Sequence, residues 1–449
     1  MPELYEHQQR ALALTKQQSL LLGADPGCGK TAVGVLTAEY RKAHPVHSGK
    51  TLVVAPLSLL ETAWAEDCAK FSPGLKFRSL WAPTPAKRKK VLADSSGDIL
   101  AINYEDFKKI VPWLRNQKFD NLIIDESSAL ANPRSQITKV AKDFSASIPF
   151  KYCFSGTPMP NGPLDVWGQM AVVNPSLLGW NYWNFRSQWA YQTGYMGYRW
   201  AVTPDKQARL MQTITPSALF LAKEDCLDLP EQTFTTRAVY MDAAQREAYD
   251  AMVRDKLLPL VDGREAIANN ILAELMKLRQ ITSGWVRDDN GKDYGFSNSK
   301  ALVLDEVLAE LGEHQAVIWV EFIHDAEELA SRLGDRAVKI MGGLSPKELT
   351  SRLNAFKNGE KQYLVAHPAT IGHGVTLTNA SYMIFYSLSY SWQRYTQCCA
   401  RIHRISQHHP CTYVHLLCRK TIDEVIYRAL QRKDDMARSA LSHLKDHAA

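Results

Sequence analysis

The sequence predicts an α/β fold with two parallel sheets, each covered by helices. Short apolar segments alternate with longer segments of helical period in both halves of the chain, which is typical of parallel strands joined by crossover helices. A glycine-rich loop follows the first apolar segment, and two adjacent acids end a later one. Because ligands gather at the carboxyl ends of parallel strands, both features belong at one edge of the first sheet.

The strand candidates are apolar runs that end at polar or turn-forming residues. In the first half they span Leu20–Leu22, Thr51–Ala55, Ile99–Ile102, Leu122–Asp125 and Tyr152–Phe154, and in the second half Ala316–Val320, Val338–Ile340, Tyr363–Ala366, Tyr382–Tyr386 and Thr412–Leu417. The stretch from Thr215 to Pro230 is typical of a connector between the halves. No tandem repeat is evident, so the halves share an architecture and not a sequence.

Composition limits the class of protein. A chain of 449 residues predicts two or three domains, and 45% hydrophobic with 22% charged residues is ordinary for a soluble globular protein. The net charge of +6 permits nucleic-acid binding without requiring it. Apolar stretches are broken by charge and no apolar signal core begins the chain, so we expect no membrane span and a cytoplasmic location. The eight cysteines lack zinc spacing and are typical of reduced thiols.

The first apolar run leads into Ala24-Asp25-Pro26-Gly27-Cys28-Gly29-Lys30-Thr31, a loop that can wrap a triphosphate. Gly27 and Gly29 let successive N–H groups turn inward without a clash at Cβ. Lys30 is predicted to reach the β- and γ-phosphates, and the Thr31 hydroxyl to ligate Mg²⁺. Ala24 stands where the strict pattern has glycine, so a chance match or a site for another phosphate remains open.

Asp125 and Glu126 end a strand candidate and predict the second half of a nucleotide site. Adjacent acids repel each other, so they need different roles. Asp125 is the better partner for Mg²⁺, and Glu126 the better group to orient or deprotonate the attacking water. The alternative is a strand that ends in a solvated acidic turn.

The second half has no glycine-lysine loop and carries Ile371-Gly372-His373-Gly374 instead, of which Gly372 and Gly374 are predicted to contact the nucleotide. Gln397, Arg401 and Arg404 are spaced i, i+4 and i+7, so a helix would present all three from one face. Guanidinium groups there can stabilise the transferring phosphoryl group of a triphosphate held by the other domain. A solvated basic helix face is the alternative.

Further segments occur in a set order along the chain. They are Leu4-Tyr5-Glu6-His7-Gln8, Val54–Leu60 followed by Trp64, Asn103-Tyr104-Glu105, Asp125–Pro133, Ser155–Asn161, Lys223-Glu224-Asp225 with Leu229-Pro230, and Ile402–Gln407. The order and the residues of these segments resemble the motifs of the superfamily-two nucleic-acid-dependent ATPases, and within them those of the Swi/Snf-like branch of double-stranded DNA translocases. The resemblance covers nearly the whole chain.

The resemblance implies two tandem RecA-like domains with small helical insertions. The expected domains are 1–222 with a helical insertion at about 160–215, a connector at 223–235, and 236–449 with a helical block at about 243–284. His367-Pro368, Ile371 and Thr376 depart from the branch pattern and resemble the compact forms found in bacteriophage genomes. A phage origin would place the protein in the cytoplasm of a bacterial host.

The resemblance also implies the cofactors ATP and Mg²⁺, with His7 and Gln8 in the motif that reads adenine. The activity that the resemblance implies for the protein is ATP-dependent, sequence-independent translocation on double-stranded or branched DNA, with remodelling of DNA or protein–DNA structures. Residues at or just past strand ends can grip phosphates without reading bases. These predicted nucleic-acid contacts are Pro56, Ser58, Asn103, Tyr104, Gly156, Thr157, His367 and Trp392, each of which is alternatively a loop cap.

Two other functions remain open at this point. One is a strand-separating helicase on DNA or RNA, and the other a catalytically silent nucleic-acid-binding scaffold. We expect a monomer that works beside replication or recombination proteins. The aromatic side chains between residues 180 and 200 are predicted to fill the core of the helical insertion, with stacking on unpaired bases as the alternative.

Overall fold

The computed structural model describes residues 2–44, 49–93, 96–193, 199–257, 268–288, 290–371 and 375–445. The chain divides into two compact units, one formed by residues up to 228 together with those from 433 onward, and one formed by residues 229–432. Each unit is an α/β body built on its own parallel sheet. This confirms the predicted fold class, while the domain bounds 1–222, 223–235 and 236–449 stay predictions.

The first unit is built on a sheet of seven parallel strands within the described residues. The strands of this unit are β1 Leu20–Ala24, β2 Lys50–Ala55, β3 Phe77–Ser79, β4 Ile99–Asn103, β5 Phe119–Asp125, β6 Phe150–Ser155, β7 Tyr191–Thr193, β8 Arg199–Ala201 and β9 Ala218–Leu221. The sheet order is β3-β4-β2-β5-β6-β1-β9, and β7 and β8 form a separate antiparallel pair. The five predicted strands are β1, β2, β4, β5 and β6, whereas β3 and β9 at the two edges were not predicted.

Helices cover both faces of this sheet, and each face has its own apolar core. The helices are Glu6–Gln17, Lys30–Ala43, Leu57–Leu59, Glu66–Phe71, Pro85–Ala93, Tyr104–Arg115, Gln136–Ser145, Val166–Val173, Pro175–Leu178, Tyr182–Trp189, Pro204–Ile214 and Lys223–Cys226. Short 3-10 segments are Ser127–Leu130, Pro163–Asp165 and Thr215–Ser217, and Leu60–Ala65 is a π-helical turn. One core contains Trp64 and Phe154, and the other contains Phe107 and Trp167.

The region predicted as a helical insertion is mostly helical, with the β7–β8 pair inside it. Phe185 and Trp189 are buried there, as predicted for core residues. The expectation is wrong for Trp180 and Trp183, which are 55% and 45% exposed. The guanidinium of Arg186 lies 4.5 Å from the Trp183 ring centroid, so cation–π contact holds a solvent-facing ring in place. Tyr195 and Tyr198 lie outside the described residues.

The second unit is built on six parallel strands within its described residues. Its strands are β10 Gln232–Val239, β11 Trp285–Arg287, β12 Asp293–Gly295, β13 Ala316–Trp319, β14 Ala337–Ile340, β15 Tyr363–Ala366, β16 Tyr382–Phe385 and β17 Cys411–Cys418. The sheet order is β10-β17-β16-β13-β15-β14, with β11 and β12 as an antiparallel pair. The five predicted strands β13 to β17 are all present.

Strand β10 is the main difference from the sequence expectation, because it begins inside the range predicted as a connector. It pairs with β17 over its whole length, from Gln232 opposite Cys411 to Val239 opposite Cys418. Most of its side chains are exposed at the sheet edge. An edge strand does not need the continuous apolar run that marks a buried parallel strand, so the apolar pattern did not reveal it.

Helices of the second unit are Ala243–Met252, Ala268–Thr282, Ser299–Leu311, Ile323–Leu333, Pro346–Lys357, Trp392–Cys399 and the part of Ile422–Lys445 before residue 433, with a π turn at Val253–Leu257 and a 3-10 turn at Gly334–Arg336. The predicted helical block at about 243–284 corresponds to the helices Ala243–Met252 and Ala268–Thr282 and the π turn that follows the first of them. Residues 258–267 of this range lie outside the described residues. Over the part of the chain that the structure describes, no helix has both the length and the apolar character needed to cross a bilayer.

Candidate nucleotide site

The phosphate loop has the backbone shape that its glycines predict. Gly27 has φ 99° and Gly29 has φ 76°, both in the left-handed region that favours glycine. Gly29 is also the residue that precedes the helix Lys30–Ala43. The first N–H groups of a helix have no partner within it, and its positive dipole end attracts anions. The loop therefore offers backbone donors to a phosphate.

Lys30 lies within the loop itself. Its ammonium donates to the carbonyl of Ala24 at 2.6 Å and lies 3.4 Å from that of Asp25. Thr31, the next residue, is half-buried in the first turn of the helix. Both side chains are thus placed at the helix start, where the sequence predicts a phosphate contact and a magnesium ligand.

His7 and Gln8 contact the phosphate loop from the first helix. His7 Nε2 lies 3.1 Å and Gln8 Nε2 3.4 Å from the carbonyl oxygen of Cys28. Gln8 Oε1 accepts a hydrogen bond from the N–H of Tyr5 at 3.1 Å. A Cβ on Gly29 would lie 1.9 Å from Gln8 Nε2, so glycine is required for this close approach. The structure places both side chains beside the loop, and adenine reading stays a prediction.

Three other loop residues have structural roles. The Asp25 carboxylate accepts the N–H of Lys223 at 2.9 Å, while burial raises its pKa. Pro26 packs against the end of β6, where a Cβ on Gly156 would lie 3.0 Å from its Cδ. Cys28 is buried, and burial raises the pKa of its thiol to about 12. Such a thiol stays protonated and unreactive at neutral pH.

The acidic pair lies at the end of β5. Asp125 is 3% exposed, and its pKa is raised to about 6, first by burial and then by the charge of Glu126. Lys30 and the indole of Trp64 act in the opposite direction. Trp64 Nε1 donates to Asp125 Oδ2 at 3.0 Å, and the N–H of Glu126 donates to Oδ1 at 3.0 Å. A hydrogen bond of this kind to a charged group contributes about 1.5–3 kcal/mol.

Glu126 has a left-handed backbone, with φ 55° and ψ 47°. For a residue other than glycine this conformation costs about 1–2 kcal/mol. Strain of this kind persists where surrounding contacts enforce it, and it concentrates at functional sites. Here the carbonyl oxygens on either side of the turn are held by Tyr104.

Tyr104 was predicted to contact nucleic acid, and the structure gives its hydroxyl a different partner. The hydroxyl donates to the carbonyl of Asp125 at 2.6 Å, and the carbonyl of Glu126 lies 3.1 Å away. Burial raises the pKa of Tyr104 well above its ordinary value, so the donor proton is retained. The expectation that this hydroxyl grips a phosphate is corrected, because the two backbone carbonyls occupy it.

The other predicted nucleic-acid contacts of the first unit lie at the carboxyl ends of β2, β4 and β6. Pro56 and Ser58 follow β2 and are half-buried. Asn103 ends β4, and Thr157 follows β6. Asn103 Oδ1 and Thr157 Oγ1 are buried with no hydrogen-bond partner among the described residues. A buried polar atom without a partner is costly, and it is expected where a ligand or water completes the site.

In the second unit, His367 follows β15 and Trp392 begins the helix Trp392–Cys399. His367 Nδ1 accepts the N–H of Ala369 at 3.1 Å, and burial lowers its pKa. Trp392 is 7% exposed. Trp392 Nε1 is buried with no hydrogen-bond partner among the described residues, and the nucleic-acid contacts of His367 and Trp392 stay predictions.

The expectation of one helix face carrying Gln397, Arg401 and Arg404 is wrong. The helix ends at Cys399, so only Gln397, which is half-buried, lies on it. Arg401 lies in a turn after the helix, where its N–H donates to the carbonyl of Cys398 and its carbonyl accepts the N–H of Leu377, both at 2.9 Å. Gly372 and Gly374 lie outside the described residues.

The two arginines differ in their surroundings. The buried guanidinium of Arg401 donates to the carbonyls of Val375 at 3.1 Å and Ile371 at 3.4 Å. Arg404 Nη1 donates to Thr376 Oγ1 at 2.9 Å, and burial lowers its pKa to about 10. Arg404 is still fully charged near neutral pH and is partly exposed. Arg404 is therefore the better placed of the two to meet an anion.

The residues fit a magnesium nucleotide. Mg²⁺ is bound in such sites by one or two protein oxygens together with phosphate oxygens and water. Asp125 and Thr31 supply hard oxygen donors, and the described residues contain no cluster of three or more His, Cys, Asp or Glu that would indicate another metal. Sequence reasoning missed the bonds of Trp64 and Tyr104 to the acidic pair. Their place in the motifs after β2 and β4 was the only signal.

Two family models match the chain. The SNF2-related domain matches residues 5–284, and the helicase conserved C-terminal domain matches residues 299–406. The chain is 27% identical over 423 residues to protein p41 of Acyrthosiphon pisum secondary endosymbiont phage 1, with 90% of each protein covered. It is 24% identical over 430 residues to an uncharacterized ATP-dependent helicase of Mycoplasma genitalium, covering 94% of this chain and 40% of that protein.

Among solved structures, the Sulfolobus solfataricus SWI2/SNF2 ATPase core in complex with dsDNA is 23% identical, covers 98% of this chain and 95% of that chain, and has a TM-score of 0.46. This chain spans most of the phage relative and less than half of the mycoplasma relative. The first family model alone covers more than half of the 449 residues. The chain therefore belongs to the SNF2-related family, and it is an ATPase core of that family.

Proposed function

We propose that this protein couples ATP hydrolysis to sequence-independent translocation on double-stranded or branched DNA, and that it remodels the DNA or protein–DNA structures it meets. One observation carries the proposal. The phosphate loop, the acidic pair and the loops at Pro56–Ser58 and Asn103–Tyr104 all follow the carboxyl ends of strands in one parallel sheet. The proposed hydrolytic centre and the proposed DNA-binding surface therefore lie at the same edge of the first sheet.

In the proposed reaction, Lys30 and the N–H groups of the phosphate loop bind the β- and γ-phosphates. Thr31 and Asp125 hold Mg²⁺, which neutralises charge on the phosphates when it is bound. Glu126 orients the attacking water and accepts its proton. Arg404, with Arg401 and Gln397, stabilises the charge that develops on the transferring phosphoryl group.

Backbone contacts support the assignment of DNA as the partner. The Thr157 hydroxyl, which can donate to a phosphate oxygen, has no partner among the described residues and lies just past the end of a strand. The net charge of +6 is compatible with binding a polyanion, and contacts to phosphates do not depend on base sequence. The proposed partner is therefore DNA held by its phosphates, with replication or recombination proteins as further partners of a monomer in a bacterial host cytoplasm.

Strand separation is the second candidate function, and one observation favours it. The mycoplasma relative is named as an ATP-dependent helicase. A helicase and a duplex translocase differ in the nucleic acid that stimulates ATP hydrolysis and in whether the strands part.

The test compares ATP hydrolysis with closed-circular duplex DNA, forked DNA, single-stranded DNA and RNA at equal nucleotide concentration. We expect duplex or forked DNA to stimulate hydrolysis most, together with displacement of a triplex-forming third strand and no unwinding of a blunt duplex. Stimulation mainly by single strands with unwinding would support the helicase. No stimulation by any nucleic acid would overturn both, and the absence of any ATP turnover would support the silent scaffold.

Arg404 provides the kinetic control for this test. We expect Arg404→Ala to lower the ATP turnover rate by about 10³–10⁵-fold, the contribution known for arginines that stabilise a transferring phosphoryl group. ATP affinity should change far less, because the guanidinium acts in the transition state. Unchanged turnover in Arg404→Ala would remove it from the catalytic set.

A further inference from the structure

Three neighbouring strands bring the two loops and the acidic pair together. Strand β2 lies between β4 and β5, with Ala55 opposite Asn103 on one side and Val54 opposite Ile124 on the other. The chain leaves these strands at Pro56, Tyr104 and Glu126. The loops after β2 and β4 therefore both lie next to the turn that carries Asp125 and Glu126.

The loop after β2 is connected to Asp125 through one continuous helical segment. This segment starts at Leu57, passes through the π turn Leu60–Ala65 and ends at Phe71. The Thr62 hydroxyl bonds back to the carbonyl of Ser58, which ties the turn to the loop. Trp64, in the π turn, donates its indole N–H to Asp125. π turns are rare and occur mostly at functional sites.

Trp64 has no freedom to absorb a movement of that segment. It is fully buried, and a Cβ on Gly34 would lie 2.6 Å from the edge of its ring. A tightly packed interior transmits displacement instead of deforming continuously. A shift of the helix start at Ser58 therefore changes the direction of the N–H that holds the Asp125 carboxylate.

The loop after β4 has a parallel connection. Asn103 ends the strand, and the next residue, Tyr104, begins a helix and bonds the carbonyls of Asp125 and Glu126. These carbonyls flank the left-handed backbone of Glu126. Tyr104 thus fixes the backbone of the same acidic pair whose first carboxylate Trp64 fixes.

We propose that Trp64 and Tyr104 are positioning residues that transmit occupancy of the loops at Pro56–Ser58 and Asn103–Tyr104 to the acidic pair. The inference rests on the proposed function, because the occupant is the phosphate backbone of DNA. The two side chains hold Asp125 and Glu126 in the arrangement seen here. A bound strand draws on Ser58 and Asn103 and shifts the carboxylates towards the arrangement that binds Mg²⁺ and water productively.

The test uses Trp64→Phe, which removes the indole N–H together with part of the ring, and Tyr104→Phe, which removes only the hydroxyl. Matched controls in the same unit are Trp167→Phe, whose indole N–H donates to the carbonyl of Gly179 at 3.1 Å, and Tyr152→Phe, whose buried hydroxyl donates to the carbonyl of Thr15 at 2.8 Å. Trp167→Phe loses the same part of an indole ring and its hydrogen bond, and Tyr152→Phe loses the same hydroxyl and its hydrogen bond. Both losses are away from the acidic pair. Thermal unfolding of all four variants reports the cost to the fold.

The first measurement needs no DNA. Binding of a fluorescent ATP analogue is titrated with Mg²⁺ and, separately, in EDTA. We expect Trp64→Phe to raise the Mg²⁺ concentration at half-saturation by about tenfold, the usual effect of losing the partner of a metal ligand. Its affinity for the analogue in EDTA should equal that of the wild type. Trp167→Phe should match the wild type in both conditions.

The second measurement compares ATP turnover with and without duplex DNA. We expect Trp64→Phe and Tyr104→Phe each to lower the stimulation ratio by at least about tenfold, since small misplacements of catalytic groups have effects of this size. DNA affinity should stay within about twofold, because neither donor contacts the strand. The two controls should keep the wild-type ratio.

The outcomes separate the two proposals. If a variant matches its control in the stimulation ratio, transmission through that residue is overturned. If Trp64→Phe also shows wild-type Mg²⁺ dependence, its positioning role is overturned as well. If DNA does not stimulate the wild type, the proposed function and the transmission both fail, while the Mg²⁺ titration still decides whether Trp64 positions Asp125.

Discussion

Asp125 in the first unit and Asp325 in the second are both buried aspartates that accept an indole N–H. The donors are Trp64 at 3.0 Å and Trp285 at 2.8 Å. Burial raises the pKa of Asp125 to about 6 and that of Asp325 to about 7. The local chemistry is nearly the same, so the difference between the two sites lies in their other neighbours.

Asp325 lies in the helix Ile323–Leu333, where hydroxyl groups of Ser283 and Ser387 complete its shell at 3.1 and 3.2 Å. Asp125 ends a strand, beside a second acid and the lysine of the phosphate loop. Hydroxyl donors and the charge of Lys300 stabilise Asp325 within the fold, whereas the like charge of Glu126 at a strand end raises the free energy of ionised Asp125 until a cation binds. A buried aspartate is thus a functional candidate by virtue of its neighbours and not of its burial.

The same substitution at both aspartates gives the largest expected contrast. Asp125→Asn should lower ATP turnover by at least about 10³-fold, because a magnesium ligand supplies several kcal/mol of transition-state stabilisation. Asp325→Asn should retain turnover within about threefold, since its amide can accept from Trp285 and donate to the two serine hydroxyls. Steady-state hydrolysis at saturating MgATP measures both. Equal losses would abolish the distinction between the sites.

Glu126→Gln sharpens the roles within the acidic pair. The amide keeps the size of the side chain but accepts no proton, so we expect turnover to fall by about 10²–10⁴-fold. ATP binding should persist, because Asp125 and Thr31 still hold the metal. Equilibrium binding of a fluorescent nucleotide, measured beside turnover, separates the two. Turnover near that of the wild type would remove Glu126 from its assigned role.

Lys300 tests the structural character of the second site. It is fully buried and pairs with Asp423 at 2.7 Å. Lys300→Met leaves Asp423 buried without its cation and should reduce the free energy of unfolding by about 3–5 kcal/mol. The double variant Lys300→Met with Asp423→Asn should recover part of that loss. Denaturant unfolding monitored by fluorescence measures it, and a change below about 1 kcal/mol would contradict the assignment.

The pH dependence of stability gives the smallest effect. Because the folded pKa of Asp325, about 7, lies above its ordinary value of 3.8, the folded protein binds an extra proton between these values. Its contribution to stability is therefore fully present below about pH 4 and is lost as the pH rises through 7. We expect the thermal midpoint of Asp325→Asn to fall less than that of the wild type between pH 5 and 8. Parallel profiles would refute the shift.

The central strands were predictable from sequence and the edges were not. Strands such as β5 and β13 are buried on both faces, so their sequences contain runs of consecutive apolar residues. Strand β10 lies at an edge with Thr235 as its only partly buried position before Val239, and a pattern of that kind also describes a connector. Central and edge strands differ in which elements lie beside them, and the local sequence does not specify those neighbours.

The candidate site was predictable in its residue types and not in its connections. Glycine loops and paired acids occur at spacings that their chemistry fixes, so Lys30, Asp125 and Glu126 could be named from sequence. The bond from Trp64 to Asp125 joins residues 61 positions apart, and no spacing rule encodes it. Arg401 and Arg404 were placed on a helix because their spacing suits one, whereas the helix ends at Cys399 and the carbonyl of Arg401 accepts from distant Leu377.

The left-handed turn at Glu126 sets opposite demands on that position. Glycine or asparagine would relax the chain there and yet remove the carboxylate, while a β-branched residue would fail on both counts. In a library randomised at position 126, the glycine and asparagine variants should therefore fold better than the parent and lack ATP turnover. Selection for solubility and selection for ATP turnover would therefore enrich different residues at this position.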